Sequence, residues 1–295
     1  MSVKISIQQK GILKRTLSLQ DILMDTFHYG RYDANYIFLE GEMGEGEMTI
    51  YHPEHIARGI SVIWNEHEKK EISLHMLLPT TPQEIDDLYK LVKHLCHLWK
   101  TSSFIQDDQV FTLDNIEYLK NDLLTTSYQS LCDFLKQHES GNFFCAMWPI
   151  DFESEKVQHW ITDSTLKNFA NDLHRLQNMD LYYANARLYR VHHEGQQEAI
   201  MGVYTVTATV DTIFPMQPKA PFSCVNFETG ESMQVDFYRV ALVSLNKKEM
   251  LGLISFDDFM NELYKKEVHE FDSEHIYFDG ISEEEIQRLY DLYHL

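Results

Sequence analysis

Three pairs of short segments, each with an apolar residue at every second position and each pair split by a polar turn, constrain this fold most. Side chains alternate faces along a strand, so a period of two marks a half-buried strand. A turn of a few residues joins antiparallel neighbours only. Residues 59–65 and 71–78 flank the polar run 66–70, and residues 235–245 and 249–254 flank Asn246-Lys247-Lys248. In the third pair Ile200, Tyr204, Val206, Ala208 and Val210 share one face, with Thr205, Thr207 and Thr209 on the other. That strand is expected to pair with 182–193 across Glu194-Gly195-Gln196.

Helices are marked by their start signals. Thr81, Pro82 and Glu84 read as a capping box with proline at the first helical position, and Ile85, Leu88, Leu91, Val92, Leu95 and Trp99 follow at helical spacing. Ser282 and Glu285 read as a second box, stapled by Ile281 and Ile286. Asp163 is expected to cap a helix carrying Leu166, Phe169, Ala170, Leu173 and Leu176, and Ser255 with Asp258 to open one carrying Phe256, Phe259, Met260 and Leu263. Further helical patterns cover 18–27 and 114–138, the second expected to break near Thr125-Thr126. The fold class that follows is α+β: antiparallel, hairpin-rich sheets with packed amphipathic helices. The polar stretch 137–142 divides the chain into expected domains 1–140 and 141–295. The hairpins ending in Lys69-Lys70-Glu71 and Lys247-Lys248-Glu249 each lead into a capped helix, a pattern that a duplicated β-β-α unit would leave.

With 46 acidic against 25 basic residues, the formal charge is −21, which sets electrostatics against nucleic acid and anionic membrane as partners. Residues 249–295 alone carry thirteen carboxylates and three bases. Such a surface suits docking of a basic protein partner, with Asp257, Asp258, Glu283 and Glu284 as candidate contacts. No stretch approaches the roughly 18 apolar residues of a membrane span. The first residues alternate like a strand and not like a leader, so cytoplasmic residence is expected. Cys96, Cys132, Cys145 and Cys224 form no CxxC pair and sit in apolar runs, as free buried thiols do.

Fifteen histidines make metal binding the first chemistry to test. His94 and His97 lie three apart on the polar side of a helix, and His52 and His55 bracket Pro53-Glu54. Two such pairs and a carboxylate would hold zinc or non-haem iron, and an activated water would make a metal-dependent hydrolase. The HExxH spacing is absent, so the expected cofactor is none, with a divalent metal as the alternative. The run Glu40-Gly41-Glu42-Met43-Gly44-Glu45-Gly46-Glu47 has glycines but four carboxylates and no lysine, which suits an acidic hairpin tip and not a phosphate loop. GxSxG and GxGxxG patterns are missing as well.

The runs Asp180-Leu181-Tyr182-Tyr183-Ala184-Asn185-Ala186-Arg187-Leu188-Tyr189-Arg190 and Gly202-Val203-Tyr204-Thr205-Val206-Thr207-Ala208-Thr209-Val210 resemble an uncharacterised cytosolic protein family of streptococci and related Gram-positive bacteria. The resemblance implies a bacterial cytosolic protein and brings no activity and no site residues. The sequence therefore favours a non-enzymatic acidic interaction module. A metal-dependent hydrolase and an acidic mimic of nucleic acid stand as the alternatives.

Overall fold

A computed structural model describes residues 1–10, 14–33, 37–64, 70–192, 199–221 and 234–294. Two compact units emerge, one of Met1–Asp33 with Phe38–Met179 and one running from Asp180 to the C-terminus.

In the first unit the strands are β1 (Ser2–Gln8), β2 (His28–Tyr32), β3 (Phe38–Glu40), β4 (Glu47–Tyr51), β5 (Ile60–Ile63), β6 (Glu71–Leu77), β7 (Ser103–Gln106) and β8 (Gln109–Thr112). They form one sheet in the order β3-β2-β4-β5-β6-β1-β7-β8, antiparallel throughout. Register follows the alternation. Val3, Ile5 and Ile7 stand opposite Met76, Leu74 and Ile72, all buried, so one face of the sheet is apolar. The other face carries Lys4, Ser6, Gln8, Glu71, Ser73 and Ser61. Helices α1 (Leu19–Leu23), α2 (Pro82–Leu98) and the start of α3 (Ile116–Gln137) contribute to the core of the apolar face.

Helix α2 starts where its signals place it, with the Thr81 hydroxyl accepting from the Glu84 amide at 3.3 Å. The Glu84 side chain turns inward instead of back to the cap, a departure that matters below. Helix α3 runs unbroken through Thr125-Thr126, contrary to expectation. The Thr125 hydroxyl donates to the Asn121 carbonyl at 2.8 Å, so this polar side chain bonds within the helix instead of competing with it.

Segment 140–153 belongs to the first unit, so its boundary with the second lies near Met179/Asp180 and not at 140/141. Strand β9 (Ser140–Phe143) pairs with β10 (Ile150–Glu153), and the connection between them is tied to earlier chain: Ala146 N–H donates to Ala57 O at 2.7 Å. Helix α4 (Lys167–Gln177) buries Phe169, Ala170, Leu173 and Leu176 as expected. Its start is not at Asp163. The Asp163 carboxylate instead accepts the Thr165 amide at 2.8 Å and the Thr165 hydroxyl, while Leu166, fully buried, takes the left-handed backbone conformation at φ 58°. Burying Leu166 sets this turn.

The second unit contains two four-stranded sheets. Strands β11 (Tyr182–Tyr183), β12 (Arg187–Val191), β13 (Ala199–Thr207), β14 (Thr212–Pro215), β15 (Phe237–Ser244), β16 (Glu249–Ser255), β17 (His269–Glu270) and β18 (His275–Phe278) assemble as β11-β14-β18-β17 and β12-β13-β15-β16. The expected strand 182–193 is thus divided, β11 joining one sheet and β12 pairing antiparallel with β13 in the other. The turn 194–196 and Cys224 lie outside the described residues. The β15–β16 hairpin forms as expected, but β13 and β15 run parallel, as do β11 and β14. Both hairpins noted as similar do lead into helices, α2 and α5 (Phe256–Leu263). Ser255 caps α5 by accepting the Asp258 amide at 3.0 Å, and Ser282 caps α6 (Glu283–Tyr293) at Glu285 at 3.3 Å. Ile281, Ile286 and Leu289 join the core of this unit.

Candidate functional site

Polar side chains gather in three interior places. The first lies where the turn Pro53–His55 meets α2 and α4 in the first unit. His52 precedes the turn and its Nδ1 accepts the Glu54 amide at 3.2 Å, which fixes the ring. That ring stacks on His55, centroids 4.0 Å apart and planes 18° from parallel. His55 Nε2 in turn meets the buried Asp87 carboxylate at 2.5 Å, whose other oxygen takes Lys90 Nζ at 3.1 Å. Burial, and then the neighbouring His55, push the His52 pKa down. His174 of α4 is pushed down by burial and then by His55, and its Nδ1 is buried without a hydrogen-bond partner. For His52 and His174, burial first and the neighbouring His55 second disfavour the charged imidazole.

His52, His55, His94 and His97 are the candidate ligands that the sequence offers for the alternative of a divalent metal. The structure brings the first pair into contact. The second pair lies on α2, His94 half-buried with an unpartnered Nε2 and His97 exposed. Among the described residues, no group of three ligand atoms within 4.8 Å includes any of these four.

The second place surrounds Glu84. Its Oε1 accepts the Gly59 amide and its Oε2 the Thr80 hydroxyl, both at 2.5 Å, with the residue only 4 % exposed. Gly59 holds φ 76°, and a side chain there would meet Thr49, so this donor requires glycine. Ser127 of α3 both accepts from the Thr80 amide and donates to its carbonyl, each at 2.7 Å. Buried Arg58 donates to the Phe144 and Pro79 carbonyls at 2.9 Å and lies 5.0 Å over the Phe143 ring. Burial raises the Glu84 pKa against the pull of Thr80, Gly59 and Arg58. Burial also pushes the Cys145 thiol up to about 12 and Cys96 to about 11, so both keep their protons at neutral pH.

The third place, in the second unit, is a carboxylate–imidazole–phenol relay. Asp272 Oδ1 accepts the amides of Glu274 and His275 at 2.8 Å and meets His275 Nδ1 at 3.0 Å. A carboxylate only accepts, so Nδ1 carries a proton, and Nε2 meets the Tyr183 hydroxyl at 3.0 Å. β14 separates the two strands concerned, with Pro215 opposite His275 and Ile213 beside Tyr183. The cavity against this relay measures about 20 Å³, room for about one water.

The acidic candidates divide by role. Asp258 is bonded to its helix cap Ser255, and Glu283 accepts the Ser244 hydroxyl at 2.7 Å and the Asn246 amide at 2.8 Å. Asp257 and Glu284 are exposed in the first turns of α5 and α6. The bases nearby are consumed by two other acids. Lys265 pairs with Glu262 at 2.7 Å and Lys266 with Glu285 at 2.5 Å, and Arg288 pairs with both acids at 3.0 and 3.3 Å. Lys265, then the Tyr293 hydroxyl and Arg288, hold the Glu262 pKa down at about 2.

Sequence reasoning missed Glu84, Asp87, His174, Asp272 and Tyr183. One signal was present: Glu84, Asp87 and Leu91 at helical spacing continue the buried arc of α2, so two carboxylates fell where burial was required.

A family profile described as a domain of unknown function, DUF4299, matches residues 2–289. The chain belongs to the DUF4299 family. No curated protein and no solved structure matches this DUF4299 chain. No helix formed by its described residues is long and apolar enough to cross a membrane.

Proposed function

We propose that this DUF4299 protein works by binding a basic protein partner through the carboxylates its second unit leaves uncompensated. One observation carries the reading. All three bases after Glu249 are engaged by Glu262 and Glu285, while the side chains of Glu249, Asp257, Asp279 and Glu284 are exposed and form no hydrogen bond or ion pair among the described residues. Charges of one sign left without local partners steer an oppositely charged protein and set its orientation. The same reading places the protein in the cytoplasm of a Gram-positive bacterium, supported by the resemblance of residues 180–190 and 202–210 and by the acidic composition. Buried carboxylates in this chain serve local bonds, which favours binding over catalysis.

The test compares the wild type with a D257K/E284K variant as baits in native lysate at low and high salt, with quantified recovery. A partner of basic composition should be retained at low salt, lost at high salt, and lost from the variant at low salt. Equal recovery by the two baits would defeat the proposal. So would a partner set indifferent to salt.

A further inference from the structure

The sheet β12-β13-β15-β16 has two faces, and helices α5 and α6 lie on one of them. Tyr204, Val240 and Ile254 form a row across that face and Val206 and Leu242 the next, and both rows join Phe259 of α5 and Ile286 of α6 in the core. The alternate positions point the other way. Thr205 and Thr207 lie there, yet the face is not polar. Tyr189, Met201 and Phe237 stand side by side, and Val243 stands beside Met250 further along. Tyr189 is 48 % exposed and Met250 58 %, so this apolar surface meets solvent.

The outward positions of the four strands hold no Asp, Glu or Lys, in a chain with 46 acidic residues. Their only charges are Arg187 and Arg239, in one row on either side of Val203, and the Arg239 guanidinium lies 4.9 Å over the Phe237 ring. Phe, Tyr, Met and Arg without Lys, Asp or Glu is the composition of the buried centre of a protein interface. A solvated sheet face is ordinarily polar, and a contiguous apolar patch marks a contact.

Size and charge select the occupant. The four strands are 5, 9, 8 and 7 residues long. At about 3.3 Å per residue and about 4.8 Å between strands, they make a face of about 440 Å². Two such faces laid together cover about 900 Å², and more once side chains interdigitate, which is the size of a weak specific interface. Two chains that each carry −21 repel wherever carboxylate meets carboxylate, and this face presents none. An arginine stacked on an aromatic ring, as Arg239 is on Phe237, can enter an apolar contact. The same patch on both partners closes a two-fold pair and leaves no second patch exposed.

We propose that this face pairs with its equivalent on a second copy of the chain, packing two sheets into a sandwich. Helices α5 and α6 then lie outside, so Asp257 and Glu284 stay exposed and the pair presents the docking carboxylates twice. The pairing uses the opposite face of the sheet from those helices, so either proposal can fail alone.

Sedimentation velocity of the full-length protein is measured from about 5 to about 300 µM chain, at about 50 and about 500 mM sodium chloride. The expected result is a reversible dimer with a dissociation constant of about 10–100 µM. It should tighten at least about threefold at the higher salt, because screening relieves the repulsion between two chains of charge −21. Docking of a basic partner has the opposite salt dependence. Y189E/M250E places carboxylates in the contact at two exposed positions and should weaken the dimer at least about tenfold without lowering the melting temperature. Y264E/L292E adds the same charge at two exposed positions on the helix side and should leave the dissociation constant within about twofold. A monomer at every concentration and both salts overturns the proposal. So does a dimer that weakens with salt, one that Y189E/M250E leaves intact, or one that the two variants weaken alike.

Discussion

Replacing Glu84 probes the energetics of the first unit most directly. In E84A the Gly59 amide and the Thr80 hydroxyl lose their acceptors in a place water does not reach. Each orphaned buried donor costs about 1–3 kcal/mol. Two such donors bring the expected loss to about 4 kcal/mol. E84Q keeps the shape and one acceptor but turns an amide NH₂ toward the second donor, which halves the loss to about 2 kcal/mol. The pH dependence has a definite sign. Burial raises the folded pKa of Glu84 above its unfolded value, so the folded state retains a proton that the unfolded state releases. That contribution is whole below the unfolded pKa and is lost as pH rises through the folded pKa. Glutamine has no such loss, so the deficit of E84Q relative to wild type should shrink as pH rises.

All four tryptophans, Trp64, Trp99, Trp148 and Trp160, lie in the first unit, so urea unfolding followed by tryptophan fluorescence reports this unit alone. Transitions at pH 5 and pH 8 for wild type, E84A and E84Q give the comparison. An E84A transition within about 1 kcal/mol of wild type would refute the claim that Glu84 holds the Gly59 turn to α2. An E84Q deficit that grows with pH would refute the raised pKa.

Two further outcomes are expected. His52 and His174 have folded pKa values pushed below the unfolded one, so their stabilisation is present above about pH 6.5 and is lost as pH falls below it, when the unfolded chain takes up protons first. H52N, which keeps a side-chain acceptor ahead of the turn, should flatten the fall in first-unit melting temperature between pH 7 and 5, and an unchanged slope would rule out His52 as a source. In the second unit, E262A removes the acceptor shared by Lys265, Arg288 and the Tyr293 hydroxyl. Amide hydrogen exchange across Glu283–Tyr293 should accelerate relative to β13, and equal protection in the two proteins would show that Ile286 and Leu289 alone dock the helix.

What could be read in the sequence was local. Period-two runs gave the hairpins β5–β6 and β15–β16, and the caps Thr81, Ser255 and Ser282 gave three helix starts, because each signal is complete within a few residues. The parallel pairing of β13 with β15 left no such trace, since nothing local records which strand lies alongside. Glu84 shows the limit most clearly. Thr-x-x-Glu reads the same whether the glutamate turns back to the cap or inward, and only the approach of Gly59 and Thr80 decides it. The histidine pair His52 and His55 was legible from spacing, whereas Asp87 and His174 reach it from other elements. The surplus of acid was legible too. Its partition into carboxylates with partners and carboxylates without them is a property of the fold.

That partition separates architecture from recognition in this molecule. A carboxylate withdrawn from water must recover its solvation from fixed donors, and Glu84, Asp87, Glu262 and Asp272 each do so through bonds from neighbouring elements or their own turn. A group spent in this way has little left to offer a ligand. The relay of Asp272, His275 and Tyr183 has the composition of acid–base machinery; the cavity against it admits about one water, and its bonds tie two strands together around β14. Recognition needs an uncommitted polar group and space in the same place. On the second unit the free carboxylates Asp257 and Glu284 face solvent, and what they can recognise is another surface.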